Sequence, residues 1–309
     1  MPELPEVETV RRQLDPEVRG RQVESVEILD ERWTRPEPPS AVEAGLTGRT
    51  VEAVDRRGKY LIVRLDNGSA LVMHLRMTGN LLLRPTGTNE TADLMEVGRF
   101  GAPRLYESHP EVRHLRVRFV LDDGAELWFT DARRFGHGHL LAAAEIEPYF
   151  AARLGPEPLG AELTAAAIAE RAAERRAPLK SFLLNQAVIA GIGNIYADEA
   201  LFRAELHPLS QAGSMRLEHC EALREGIVDA LEAGLENGGA SIDDYRNAAG
   251  ERGSMQDEFL VHTREGQECQ RCGAEIERVV VGGRSTYFCP GCQLKLRARP
   301  RRRLKRRRR

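Results

Sequence analysis

Two cysteine pairs near the end of the chain, Cys269-x2-Cys272 and Cys289-x2-Cys292, constrain its fold more than any other feature. Each pair reads as a tight knuckle, and the stretch RVVVGGRSTYF between them reads as a hairpin turning at Gly282-Gly283. Four thiolates brought together in this way supply soft ligands for one tetrahedral Zn2+. A catalytic zinc needs an open coordination position, and four cysteines leave none, so the metal is expected to be structural. The fifth cysteine, Cys220, stands alone in a helical pattern and reads as a small buried hydrophobe. At the hairpin tip, Arg284 is either a solvated turn residue or a cation presented to phosphate.

A chain of 309 residues suggests two domains, or one domain with appendages. Hydrophobic residues at 41% and charged residues at 30% favour a packed core over wholesale disorder. No apolar run reaches the ~20 residues of a membrane span, and the opening MPELPEVETVRR is acidic, unlike an export signal. A cytoplasmic protein is therefore expected, without membrane contact. The net charge of −2 hides an asymmetry, because residues 295–309 carry eleven Lys/Arg and no acid. Removing those eleven leaves 34 basic residues against 47 acids, about −13 for the rest. The tail is either an electrostatic arm for a polyanion or a solvated, disordered terminus.

Val7, Val10 and Leu14 fall at helical spacing behind Pro5, a residue tolerated in a first turn. Strand patterns follow: VESVEI, TVEAVD, KYLIVRL and SALVMHL, with Asn67-Gly68 as a hairpin signal before the last. LRVRFVLDDGAELWFT (115–130) gives another hairpin at Asp123-Gly124. Residues 84–113 lack periodicity and read as a long loop or insertion. The stretch 147–160 reads as a linker, followed by helices over 164–175, 179–190, 195–205 and 216–236. The Gly-rich segment 238–254 reads as a mobile loop.

Two further motifs carry chemistry. In IAGIGNIY (189–196), Gly191 and Gly193 allow a tight turn into a helix starting near Asn194. Such an N-terminus offers free N–H groups to a phosphate, although it is equally a way to pack two helices. At the extreme start, removal of Met1 would expose the secondary amine of Pro2. An α-amino group titrates near ~8, so a useful fraction is neutral and nucleophilic. Its attack on a sugar C1′ gives an iminium, an electron sink for eliminating phosphate, with Glu3 placed to shuttle a proton. The competing reading is an acidic first helical turn favoured by the helix dipole.

Taken together, these motifs resemble the bacterial formamidopyrimidine-DNA glycosylase family (MutM-type, within the Fpg/Nei superfamily). The resemblance runs collinearly from PELPEVETVRR through RRGKYL, HLRMTG, TDARRFG, LGPEPL, AGIGNIYADE and CQRCG to GGRSTYFCPGCQ. The opening LPEVET is similar to the 8-oxoguanine branch rather than the oxidised-pyrimidine branch. The resemblance implies an α+β chain organised as an N-terminal catalytic β-sandwich with a leading helix (1–146), a helix–two-turn–helix DNA-binding domain (147–262), a zinc-finger hairpin (263–294) and a basic tail (295–309).

It also implies roles for single residues. Pro2 is the nucleophile and Glu3 its acid/base partner, and Glu6 resembles a buried carboxylate tethering the first helix to the Gly-Asn turn. Lys59 matches a lysine beside the lesion phosphate, and Arg284 a backbone anchor assigned to the final elimination. Met77, Arg133 and Phe135 match the side chains that fill the gap left by an everted nucleotide, where unstacking costs a few kcal/mol. His74, His114, Arg175 and Asn194 match DNA contacts, although His114 sits in HLRV where the family often has HDHV. The SIDDY stretch, 241–245, matches a loop proposed to cover the flipped base. The implied partner is double-stranded DNA with oxidised bases, bound by a monomer, and the reaction is base excision followed by β,δ-elimination. The alternatives are a glycosylase for oxidised pyrimidines and a non-catalytic zinc ribbon that binds nucleic acid.

Overall fold

The computed structural model describes residues 1–86, 114–242 and 245–297. The expected insertion, apart from its first residues, and most of the arginine tail lie outside them. Two compact units result: Met1–Gly155 with Leu231–Glu258, and Pro156–Ala230 with the chain from Phe259 onward.

The first unit is built on helix α1 (Leu4–Val18) and two antiparallel four-stranded sheets. One sheet has the order β1 (Val23–Ile28), β6 (Leu115–Leu121), β7 (Glu126–Asp131), β5 (Gly79–Arg84). The other has the order β2 (Val51–Arg57), β3 (Tyr60–Leu65), β4 (Ala70–His74), β8 (His137–Leu141). The alternating Val and Leu positions of the sheets close a common core with Val7, Val10, Leu14 and Val18 of α1. That i, i+3, i+7, i+11 stripe is the buried face of an amphipathic helix. Each leucine-sized side chain so buried contributes roughly 1.5–3 kcal/mol. A helix α2 (Pro39–Leu46) adds Val42 and Leu46 to the same core.

The stretch expected as a linker, 147–160, begins with five helical residues. Helix α3 (Ala143–Ala151) forms despite Pro148 because Ile146 and Phe150, one turn apart, bury against Ile62, Ala70 and Val72. Tertiary burial outweighs the hydrogen bond that proline removes. Strand β4 is buried along its whole length, as its unbroken apolar run SALVM requires. The Gly-rich segment expected to be mobile is instead packed, with Ser241, Tyr245, Arg246, Asn247 and Ala248 buried. Asp243 and Asp244 of SIDDY lie outside the described residues.

The second unit holds helices α4 (Ala165–Ala172), α5 (Leu179–Leu184), α6 (Asn194–Arg203) and the first part of α7 (Leu217–Glu236). It also holds the hairpin β9 (Glu277–Val281) and β10 (Arg284–Phe288). Gly282 and Gly283, at φ 57° and 76°, form its two-residue turn, which requires two left-handed positions in succession. The expected helix 179–190 ends early, because Asn185 caps the chain and its Oδ1 accepts the Ala187 N–H at 3.0 Å.

Candidate functional site

In the first unit the chemistry gathers at the head of α1. Pro2 and Glu3 are buried ahead of Leu4, and Glu6 is only 1% exposed. Glu6 Oε2 accepts the Glu3 N–H at 2.7 Å, and Oε1 accepts the Ala240 N–H at 2.7 Å. A buried carboxylate must be satisfied in this way, and each such charge-assisted bond contributes about 1.5–3 kcal/mol. Gly239, at φ 84°, permits the approach, since a Cβ there would lie 2.7 Å from Glu6 Cγ. The Tyr245 hydroxyl donates to the Glu6 carbonyl at 3.1 Å, and burial, together with the Glu6 charge, pushes its pKa far above the ordinary range. Gly239, Ala240 and Tyr245 therefore fix the first turn of α1 and with it Pro2 and Glu3.

Lys59 occupies the β2–β3 turn and is 7% exposed. Gly58 turns there at φ 56°, and Arg56 Nη1 donates to its carbonyl at 2.9 Å. The Arg56 Nε reaches Glu8 of α1 at 3.1 Å, so the turn is braced against the helix. His74, on β4, stacks edge-on against Tyr60 at 4.6 Å. Burial, then the charges of Arg76, His137 and Lys59, hold His74 well below the usual histidine pKa. Its Nδ1 accepts the Arg76 N–H at 2.9 Å, so the neutral ring carries its proton on Nε2 and presents a donor.

The three residues expected to fill a gap in DNA lie on two turns of this unit. Met77 is half-buried beside Arg76, which adopts φ 57°. Phe135 is 51% exposed, and the Arg133 guanidinium lies 4.9 Å from its ring centroid. An exposed aromatic with an arginine over its face is an unusual use of surface and suits a surface that meets a partner. His114 accepts the Asp131 N–H through its carbonyl at 2.8 Å. The departure HLRV has a structural role: Arg116 Nε donates to the Asp131 carbonyl at 2.9 Å and lies 4.0 Å from Asp30. Asp30 also pairs with Arg134 at 2.6 Å.

In the second unit, Asn194 and Arg284 come together. Asn194 opens α6, and its Nδ2 donates to the carbonyl of Ser285, the neighbour of exposed Arg284, at 2.9 Å. Asn194 Oδ1 is buried and finds no hydrogen-bond partner among the described residues. Arg175 is exposed, 5.9 Å from the Phe182 ring centroid. Three groups that the sequence patterns did not reveal build this turn. Gln186 donates to the Ile192 carbonyl at 2.8 Å and accepts the Gly191 N–H at 2.9 Å. Lys180, wholly buried, donates to the Asn194 carbonyl and to Asp198, both at 2.6 Å. Asp198 in turn meets His262 at 2.8 Å. A lysine inside the mainly apolar run LKSFLL was the available signal, because a buried ammonium requires a paired carboxylate.

The four cysteine sulfurs all lie within 4.8 Å of one another. Cys269 and Cys292 are 3.8 Å apart, and Cys272 and Cys289 are 3.4 Å apart. Thiolates at ~2.3 Å around a tetrahedral zinc stand about 3.8 Å apart, so the set fits one ion. The knuckles are fastened from outside: Gln293 accepts the Cys289 N–H at 2.8 Å and donates to the Leu206 carbonyl at 2.9 Å. A bound ion would tie the two knuckles together and hold Arg284 on the hairpin. Among the described residues no helix is long and apolar enough to cross a membrane.

A β-sandwich with a buried Pro-Glu at the head of its leading helix, together with a helical unit that ends in a four-cysteine hairpin, defines a class of zinc-finger protein. Family models agree segment by segment: the formamidopyrimidine-DNA glycosylase N-terminal domain matches residues 1–138, its H2TH domain 154–246, and the zinc finger found in FPG and IleRS 266–294. The formamidopyrimidine-DNA glycosylase of Chloroflexus aurantiacus is 42% identical over 296 residues, covering 95% of this chain and 98% of that protein. Among solved structures, a complex of a Lactococcus lactis FPG mutant with Fapy-dG-containing DNA aligns with TM-score 0.83 and 32% identity, over 95% of this chain and 100% of that one. The wild-type Lactococcus lactis enzyme with DNA containing an oxidised pyrimidine aligns with TM-score 0.82 and 32% identity, with the same coverage. This chain belongs to the formamidopyrimidine-DNA glycosylase family.

Proposed function

We propose that this chain is a bifunctional DNA glycosylase and AP lyase of base excision repair, acting on 8-oxoguanine and formamidopyrimidines in double-stranded DNA. The observation that carries this reading is the buried Pro2-Glu3 pair, held by Glu6 between the Glu3 and Ala240 N–H groups. The pair stands in the segment matched by the family's N-terminal domain.

With Met1 removed, the Pro2 nitrogen attacks C1′ of the damaged nucleotide as the base departs, and Glu3 moves the proton that opens the sugar. The resulting iminium draws electrons from the C2′–H bond, so the 3′-phosphate leaves by β-elimination and the 5′-phosphate by δ-elimination. Lys59 stabilises charge developing at the phosphate beside the lesion. Arg284 and Asn194 grip the backbone, with Arg284 serving the second elimination, while His74 adds a phosphate contact and His114 and Arg175 further DNA contacts. Met77, Arg133 and Phe135 occupy the space of the everted nucleotide. Cys269, Cys272, Cys289 and Cys292 hold zinc as a structural ion. The modules 1–146, 147–262, 263–294 and 295–309 divide this work into catalysis, helical clamp, zinc hairpin and electrostatic arm.

Borohydride trapping on an 8-oxoguanine:C duplex tests the reading. Met1-free protein should give a covalent adduct, and protein retaining Met1, whose Pro2 nitrogen is an amide, should give none. Strand cleavage by Met1-free protein without a trappable adduct would refute it. Excision from a thymine-glycol duplex at a greater rate than from 8-oxoguanine would favour the oxidised-pyrimidine branch instead.

A further inference from the structure

Asp131 closes β7, is 1% exposed, and faces two turns at once. Its Oδ1 accepts the Thr78 hydroxyl and the Arg133 N–H, the latter at 3.1 Å. Its Oδ2 accepts the Gly136 N–H at 2.7 Å. The Thr78 Oγ also accepts the Arg133 N–H, at 3.1 Å. One carboxylate thus joins the residue after Met77 to Arg133 itself and to Gly136, the residue after Phe135. The backbone needs that restraint, because Arg76 and Arg134 adopt φ 57° and 60° without being glycine. Such conformations each cost about 1 kcal/mol or more and persist where the surroundings over-determine them. Gly136 fits for a complementary reason, since a Cβ there would lie 2.6 Å from the Phe129 ring.

We propose that Asp131, acting through Thr78, is a positioning residue that sets Met77, Arg133 and Phe135 in one register, so that they enter the duplex as a single wedge. This rests on the assignment of those three side chains to the space of the everted nucleotide. A wedge assembled from two independent turns would have to be ordered during eversion. Held in advance, it meets the duplex already shaped. Asp131 touches neither the damaged base nor the sugar in this scheme. It acts only through the turns.

Asp131→Asn keeps the shape but replaces one acceptor oxygen with a donor facing N–H or O–H donors, and Thr78→Val removes only the bridge. Two substrates are compared under single turnover: an 8-oxoguanine:C duplex, whose base must be unstacked, and a preformed abasic duplex, which has none to unstack. Wild-type protein that cleaves neither would defeat the functional reading itself. With wild type active, Asp131→Asn should slow 8-oxoguanine excision 10- to 100-fold while slowing abasic cleavage less than about 3-fold. Thr78→Val should show the same split more weakly, and the double variant should be no slower than Asp131→Asn alone. Equal losses on both substrates would mean general damage to the catalytic unit and would overturn the proposal. No loss on either would do the same. Should Asp131→Asn fail to fold, the split measured in Thr78→Val decides.

Discussion

Lowering the pH from 7.5 to 5 should weaken the first unit through histidines that stay neutral when folded. His137 is drawn down to about 4 by burial, then by the charges of Arg76 and His139. His74, whose ring centroid is 5.7 Å away, is held well below its usual value by burial and the same Arg76. An unfolded histidine titrates near ~6.5, so as the pH falls through that value the unfolded chain gains protons that the folded chain refuses. Stability therefore rises with pH across the window from about 4 to about 6.5. For His137, a folded value of about 4 against ~6.5 unfolded amounts to about 2 kcal/mol lost by pH 5 and about 3 kcal/mol once the pH is below both. His74 adds a loss of the same sign. Glu8, Asp15, Asp30 and Glu126 have lowered carboxylate values. Their contribution is complete above the ordinary carboxylate range and is lost as the pH falls through and below it, almost wholly beneath the pH 5 end of this comparison. Both tryptophans, Trp33 and Trp128, belong to the first unit, so tryptophan fluorescence during urea unfolding reports on it. His137→Asn cannot titrate, and between pH 7.5 and 5 it should lose about 2 kcal/mol less than wild type. The variant also lacks the ring packing against Tyr60, His74 and His139, which shifts stability by an offset and leaves the slope as the readout. Parallel pH profiles for the two proteins would refute the reasoning.

Glu6→Gln should destabilise the first unit by about 1–3 kcal/mol, because an amide nitrogen then opposes a buried N–H donor. Its borohydride-trapping rate should fall further than stability alone accounts for, and an unaltered rate would separate the hydrogen bonds of Glu6 from Pro2. Zinc removal by a chelator, or Cys272→Ala, should abolish tight duplex binding while leaving the fluorescence unfolding midpoint of the first unit within its error. Metal analysis should return one zinc per chain. Deleting residues 298–309 should make log K less steep against log salt by about 0.9 for each phosphate that the tail neutralises, with lesion ranking unchanged. An unaltered slope would show that the tail does not touch DNA.

The parts of the fold that could be read from sequence are those where one local signal has one structural solution. VESVEI mixes β-branched and polar residues in a strand-like pattern, and β1 occupies those same six residues. Asn67-Gly68 marks the turn between β3 and β4, and the cysteine knuckles came together as spaced. Local signals misled where tertiary packing decides. GNLLLR has neither alternation nor β-branching, and it becomes β5 by pairing with β7. HGHLL becomes β8 because Gly138 lets the sheet close over Trp33, whose ring a Cβ would meet at 2.2 Å. Pro148 signalled a break that burial of Ile146 and Phe150 overrode.

The candidate site divides along the same line. Residues that would touch DNA are side chains within recognisable motifs, so the resemblance named them. Residues that hold them in place are buried polar groups whose meaning lies in partners distant in sequence. Glu6 reaches Ala240 across 234 positions, and Asp131 reaches Thr78 across 53. Arg116 makes the distinction concrete. As a departure within HLRV it is unexplained by motif, yet its guanidinium holds the carbonyl of Asp131 from behind and sits beside the Asp30–Arg134 pair. Burial, then the charge of Arg134, lowers its pKa, whereas Asp30 and Asp131 oppose that shift. A histidine at that position would be shorter and could not reach the carbonyl and Asp30 together. Arg116→His should therefore loosen the Arg133–Phe135 turn and reproduce, in milder form, the substrate split expected of Asp131→Asn. An Arg116→His protein with wild-type rates on both duplexes would place the departure outside the wedge's support.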